Sequence, residues 1–323
     1  MLLLLTKQSN VIRLESRHLK ISSDAGDSGI IPLNLLDRVI LTESAHISGA
    51  VMQQFLEARI PIILVNKTGK YVGEFHYTPM GDSKRRKAQA LFEPAENLLP
   101  ARNLLVAKLY NQKRLLQRLA ANRNRNFPEH YQLDNLRKKL TRQPDLDSLK
   151  GIEGLASRIY FGALKTYLPE WCSFSGRNRR PAVDSFNALL SYSYAVLTGE
   201  FENLIRLHAL DPAFGFLHCQ SYNTPALALD LIEPFRPGYC DMLALGLLTR
   251  RHLRGEHFTD AGGATRLTGE GRKIFFRAWE LKRKRRFKYG GKRISWQDVW
   301  DLQVRNWLKF LTDGITPEFF KLP

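Results

Sequence analysis

The apolar positions change period once along this chain. Over residues 1–80 they come in short runs or alternate with polar ones: LLLLT, VIRLE, HLKIS, RVILT, PIILV and KYVGEFH. These runs are rich in Val, Ile and Leu and are separated by turn stretches such as SSDAGDSG and NKTGK, so each predicts a strand. ISGAVMQQFLEARI (47–60) interrupts them with apolar residues at 47, 51, 52, 55, 56 and 60, the spacing of a helix. After HYTPMGDS (76–83) the pattern becomes helical. NLLVAKLYNQKRLLQRLAANR (103–123) reads as an amphipathic helix with its basic residues on the outer face, and LTRQPDLDSLKG (140–151) as a linker. Further helices are predicted at about 148–168, 183–198, 200–209, 225–235, 239–248, 268–287 and 296–311. KRKRRFKYGGKR (282–293) reads as a mobile basic stretch ending in a Gly-Gly turn. The expectation is an α+β chain of two domains, a β-rich 1–80 and a helical 81–323.

Charge sharpens this division. The chain carries a net charge of +18 over 323 residues. Residues 1–83 hold eight basic and eight acidic residues, which leaves 41 basic and 23 acidic in the remainder. A helical domain with that bias attracts polyanions, nucleic acid first among them. Cys172, Cys219 and Cys240 form no C-x-x-C pair and read as reduced thiols of a cytoplasmic protein. The opening LLLL is too short for a signal peptide or a membrane span.

The candidate chemistry lies in FLHCQSYNTPALALDLIEP (216–234). Thr224 and Pro225 suit an N-cap and a first helical position. Asp230 and Glu233 then fall three apart on an otherwise apolar helix that Pro234 ends or kinks. Buried acids require a partner, so the pair is either salt-bridged or part of a site with His218. Glu153, in DSLKGIEGLASRIYFGAL, shares its face with Ala156, Ser157 and Tyr160, and Asp147 or Ser148 can cap that helix. Carboxylates with a single histidine suit Mg²⁺ or Mn²⁺, the ions of phosphodiester chemistry, better than a structural zinc. Arg158, Arg177, Arg179, Arg180, Arg250 and Arg251 are the candidate phosphate contacts; the alternative is a solvated basic surface.

Five stretches in order resemble the CRISPR-associated spacer-acquisition integrase family: the β-rich front, GIEGLASRIYFGAL, RRPAVDSFNALLSYSYAVL, ALDPAFGFLHCQSYNTPALALDLIEPFRP and HFTDAGGATRLTGEGRKIFFRAWE. The resemblance covers essentially the whole chain. It implies a sandwich-like N-terminal dimerisation domain (1–80), an all-α catalytic DNA-binding domain (81–323) and a homodimer that meets double-stranded DNA and a small bridging partner protein. It also implies one Mg²⁺ or Mn²⁺ held by Glu153, His218 and Glu233, with Asp230 as the supporting acid, and the joining of DNA 3′-ends to a CRISPR repeat by transesterification. Thr224 stands where many members carry arginine, and Cys219–Asn223 follows no family pattern.

Overall fold

The computed structural model describes residues 2–5, 11–15, 17–22, 28–42, 45–65, 71–77, 83–123, 128–178, 181–218 and 224–323. The chain divides into two compact units, Met1–Met80 and Gly81–Pro323. Arg179, Arg180 and Cys219–Asn223 fall outside the described residues.

The first unit holds β1 (Leu2–Leu5), β2 (Val11–Glu15), β3 (His18–Ser22), β4 (Ser28–Pro32), β5 (Arg38–Thr42), helix α1 (Gly49–Glu57), β6 (Ile62–Val65) and β7 (Tyr71–Phe75). One sheet has the order β1-β5-β6-β7, parallel except at β7; the other is the antiparallel meander β2-β3-β4. Leu3, Leu5, Val39, Leu41 and Ile62 from the first sheet share one buried cluster with Leu19 from the second and with Val51 and Phe55 of α1. Alternation at period two gives these strands one buried face each, and sheet against sheet buries it. β4 was not among the predicted strands. Its sequence, SGIIP, offers only two apolar residues behind a turn-rich stretch, and pairing of Leu19 with Ile31 recruits it.

The second unit is mainly helical: α2 (Ser83–Ala90), α3 (Leu99–Arg123), α4 (Glu129–Lys139), α5 (Leu146–Lys165), α6 (Ser185–Leu207), α7 (Ala226–Leu231), α8 (Met242–Thr249), then hairpin β8 (Phe258–Ala261) and β9 (Ala264–Leu267), α9 (Gly269–Lys284), hairpin β10 (Arg286–Tyr289) and β11 (Lys292–Ser295), and α10 (Trp296–Asp313). Side chains cap the helices that matter most here. Asp145 accepts from Ser148 N–H at 2.7 Å, Asp184 from Asn187 N–H at 2.8 Å, and Ser295 with Asp298 forms a capping box. Tyr239 anchors the core edge-on to Trp279 and Trp300, with ring centroids 4.7 and 4.9 Å away. No helix among the described residues is long and apolar enough to cross a membrane.

Several expectations are corrected. The linker expected at 140–151 is a 3-10 turn, Leu140–Arg142, and three further residues before α5 starts at Leu146, because Asp145 and not Asp147 or Ser148 is the cap. The two helices expected at 183–198 and 200–209 are one; the cost of Gly199 inside a helix, about 1 kcal/mol, is outweighed by burial of Leu197, Phe201 and Ile205 on its inner face. The stretch 282–293 is ordered: it ends α9 and forms β10–β11, turning through Gly290 and Gly291 at positive φ (56° and 79°). Alternation at Phe287 and Tyr289 places one ring 4.8 Å from Trp296 and the other 5.3 Å from Phe320.

Candidate functional site

Four segments of the helical unit meet at the candidate site. α3 contributes a buried stripe, Ala101, Leu104, Lys108, Asn111 and Leu115, in which a lysine only 5% exposed interrupts the apolar spacing. α5 contributes Glu153, and the segment before Asn223 contributes His218. Asp230 lies in α7, but α7 stops at Leu231, so Glu233 sits in the turn beyond it rather than on the same helix face. That turn runs into a π-helical stretch, Arg236–Asp241. Thr224 does not cap α7; Pro225 occupies the cap position, and Leu227 N–H finds Pro212 C=O at 2.8 Å.

Asp230 is fully buried and organises the histidine. Its Oδ2 accepts the N–H groups of Phe216 (2.6 Å) and Leu217 (2.9 Å), and its Oδ1 accepts His218 N–H (2.9 Å) and lies 2.5 Å from His218 Nδ1. A carboxylate taking three N–H bonds is the acceptor toward the ring as well, which assigns the proton to Nδ1 and leaves the lone pair on Nε2. The approach is close enough that a Cβ on Gly215 would stand 2.8 Å from Asp230 Oδ2 and 2.7 Å from Ala226 Cβ, so glycine is required there. Phe216 stacks on Trp307 at 4.4 Å and fixes the segment from its other side.

His218 Nε2 points toward Glu233, 3.7 Å from Oε1. Arg236 Nη1 donates to the same oxygen at 2.6 Å. The Lys108 ammonium stands between the two glutamates, 2.7 Å from Glu233 Oε2 and hydrogen-bonded to Glu153 Oε1, which also accepts from Ser157 Oγ at 2.8 Å. Burial pushes the Glu233 carboxyl up, but Arg236 and Lys108 outweigh it and bring it down to about 2. Glu153 is likewise held below the usual carboxylate range, Lys108 prevailing over burial and over the neighbouring Glu233.

Behind Arg236 lies a second buried acid. Asp241 accepts from Tyr194 Oη at 2.6 Å and from Tyr160 Oη at 2.8 Å, and burial pushes its carboxyl up to about 6. The Arg236 guanidinium stacks 4.7 Å over the Tyr194 ring. An open cavity of about 480 Å³ is lined by Lys108, Gln112, Glu153, Ser157, Arg158, Arg177, Arg236 and Asp241.

The structure therefore brings Glu153, His218, Asp230 and Glu233 together, and sets Arg158 and Arg177 on the adjoining cavity. Arg250 and Arg251 are exposed at the end of α8 and do not line it. Lys108, Arg236 and the Tyr160–Asp241–Tyr194 group were not singled out by the sequence. The available signal for Lys108 was a cation on the apolar stripe of α3; its assignment to the outer face is corrected by burial.

As placed, with the ammonium between them, no three His, Cys, Asp or Glu side chains among the described residues form a ready ion cage. The donor set nevertheless fits a hard divalent cation. Two carboxylates and one imidazole lone pair converge, a cation already bridges the carboxylates, and buried Glu233 Oε2 takes no well-directed hydrogen bond.

Residues 3–281 match the family described as CRISPR associated protein Cas1. A Cas1 endonuclease of Thermus thermophilus is 33% identical over 304 residues, 92% of this chain and 90% of the relative. A casposase bound to integration product superposes with a TM-score of 0.85 at 23% identity, over all of this chain and 93% of that one. A chain of a Cas6-RT-Cas1–Cas2 complex superposes with a TM-score of 0.78 at 24% identity, over all of this chain and 36% of that one. By its matched length and its sequence relatives, this chain belongs to the CRISPR associated protein Cas1 family.

Proposed function

We propose that this protein is a metal-dependent DNA endonuclease and integrase of CRISPR adaptation. The observation that carries the proposal is the convergence of Glu153, His218 and Glu233 on one cation-binding point beside a basic cavity, in a chain of this family. Glu153, His218 Nε2 and Glu233 would hold Mg²⁺ or Mn²⁺. When bound, such an ion supplies Lewis acidity, lowering the pKa of an attacking hydroxyl and offsetting charge on the phosphorus centre.

The protein's own groups do the rest. Asp230 orients His218 through Nδ1, so that Nε2 faces Glu233. Arg236 neutralises Glu233 from the side away from Lys108. Arg158, Arg177 and Gln112 on the cavity wall give forked and amide donors to phosphate oxygens. In the reaction the 3′-hydroxyl of an incoming strand gives its proton to solvent and its oxygen forms a bond to a phosphorus of the CRISPR repeat. The bond from that phosphorus to its former 3′-oxygen breaks, and the leaving oxygen takes a proton from solvent. Double-stranded DNA is the substrate on both sides. A homodimer and a small bridging partner complete the assembly; the Cas2-type partner is supported by the complex in which one structural neighbour sits. The relatives' description as endonucleases supports hydrolysis at the same site, with water as nucleophile.

The test is strand transfer: labelled short duplex, supercoiled plasmid carrying a repeat, Mg²⁺ or Mn²⁺ against EDTA, with the partner protein present and His218→Ala in parallel. Metal-dependent joined product, lost in the variant, is expected. Cleaved but unjoined strands would replace the integrase with a nuclease. Activity unaffected by EDTA and by the variant would remove the site from the reaction.

A further inference from the structure

Lys108 and Arg236 are the two members of the site whose charge opposes a metal. The Lys108 side chain is 7% exposed and its ammonium bridges Glu153 and Glu233, whose side chains are 25% and 3% exposed. Lys108 pairs with Glu153 and Glu233 and Arg236 with Glu233, while Asp230 pairs with His218. The cations divide the work. Arg236 Nη1 donates to Glu233 Oε1 while its guanidinium stacks on Tyr194, so it cannot leave without breaking both contacts. Lys108 holds Glu153 Oε1 and Glu233 Oε2, the oxygens an ion would need, and its contact with Glu233 is charge against charge without a well-directed hydrogen bond. An ammonium is a compact point charge on a flexible stem, the side chain most like a small ion in what it neutralises and most able to withdraw. The cavity into which it could withdraw is at hand: Lys108 lines it together with Gln112 and Ser157.

We propose that Lys108 is the resident cation of the metal-free site, competing directly with the divalent ion for Glu153 and Glu233 and yielding both carboxylates when the ion binds. This rests on the metal reading given above. Without such a cation the two glutamates, one of them only 3% exposed, would face each other as like charges, an arrangement that partial burial makes costly. With it, the apoprotein is spared that repulsion, and any ion that enters must displace a bound charge.

Calorimetric titration of the full chain with Mn²⁺, alongside thermal unfolding of the metal-free forms, tests this without an activity assay. Wild type, Lys108→Met, Lys108→Gln and Glu233→Gln are compared. The expected result is Mn²⁺ binding about tenfold or more tighter in Lys108→Met than in wild type. Metal-free Lys108→Met should also melt below wild type and recover more on Mn²⁺ addition. If Lys108→Met does not fold without metal, Lys108→Gln, which keeps amide donors and loses the charge, carries the same expectation. Equal or weaker Mn²⁺ binding in the folded lysine variants, with wild-type binding still lost in Glu233→Gln, would overturn the competition while leaving the metal site standing. No Mn²⁺ binding in wild type, or binding indifferent to Glu233→Gln, would overturn the metal reading and this inference with it.

Discussion

His218 Nδ1 lies 2.5 Å from an Asp230 carboxylate that also accepts the backbone N–H groups of Phe216, Leu217 and His218. One acid thus fixes a ring and the backbone that carries it. The ring's orientation and the fold of its segment are therefore a single interaction, and they should fail together.

Asp230→Asn keeps the shape and removes the charge. Its amide cannot accept all four donors, so about 1–3 kcal/mol of stability should be lost, read by denaturant unfolding. Strand transfer should fall further than stability explains, about 10–100-fold, because the imidazole loses the partner that sets its tautomer. Wild-type activity in a folded Asp230→Asn protein would count against the orienting role.

Asp241 provides a pH test away from the carboxylates of the site. Its folded pKa is raised by burial from 3.8 to about 6, so its contribution is fully present below about pH 3.8 and is lost as pH rises through about 6. Asp241→Asn, which keeps partners for Tyr160 and Tyr194, should remove that component of the stability-versus-pH curve. Asp241→Ala should destabilise at every pH by about 2–5 kcal/mol, because two tyrosine hydroxyls lose their acceptor.

Lys282 gives the opposite sign. Its ammonium donates to the carbonyls of Gly238 (3.0 Å) and Tyr239 (2.7 Å), and burial pulls its pKa down from 10.5 to about 7. The unfolded chain binds this proton more tightly, so between about pH 7 and 10.5 stability should gain from this residue as pH rises. Lys282→Met should flatten that rise in urea midpoints measured across the window.

Affinity for double-stranded DNA should fall steeply between about 50 and 200 mM salt, as phosphate contacts release counterions. Arg158→Ala and Arg177→Ala should each lower the slope of log affinity against log salt by about one. Arg177→Ala should also cost stability, since Arg177 donates to Asn187 and Ser191 at 2.9 and 3.2 Å. Slopes unchanged in both variants would place the phosphate contacts elsewhere on the unit.

The division into a strand-rich front and a helical remainder was legible because the apolar period changes from two to 3.6 near residue 80. Ordered motifs singled out Glu153, His218, Asp230 and Glu233. Lys108 stayed hidden because a lysine in a basic amphipathic helix looks like surface until the stripe Ala101, Leu104, Lys108, Asn111, Leu115 is traced as one buried face. The hairpin at 286–295 stayed hidden because its charges outnumber its rings; only packing against Trp296 and Phe320 reveals the rings as the inner face. Helix ends near Pro225 and Leu231 were set by partners distant in sequence, such as Pro212 C=O, which local propensity does not encode.

Asn111 reaches across more of the chain than any ligand does. Its Nδ2 donates to the carbonyls of Pro234 (2.6 Å) and Phe320 (2.9 Å), and its Oδ1 accepts from Leu322 N–H (2.7 Å). The residue next to Glu233 is thus tied to a segment made some two hundred residues after Asn111. On the ribosome, Glu233 and Pro234 emerge long before this tie can close. A nascent chain stopped short of Phe320 holds Glu153, Asp230 and Glu233 but lacks two of the three hydrogen bonds that Asn111 makes. Through Asn111, the seat of Glu233 thus shares its support with the segment at Phe320–Leu322.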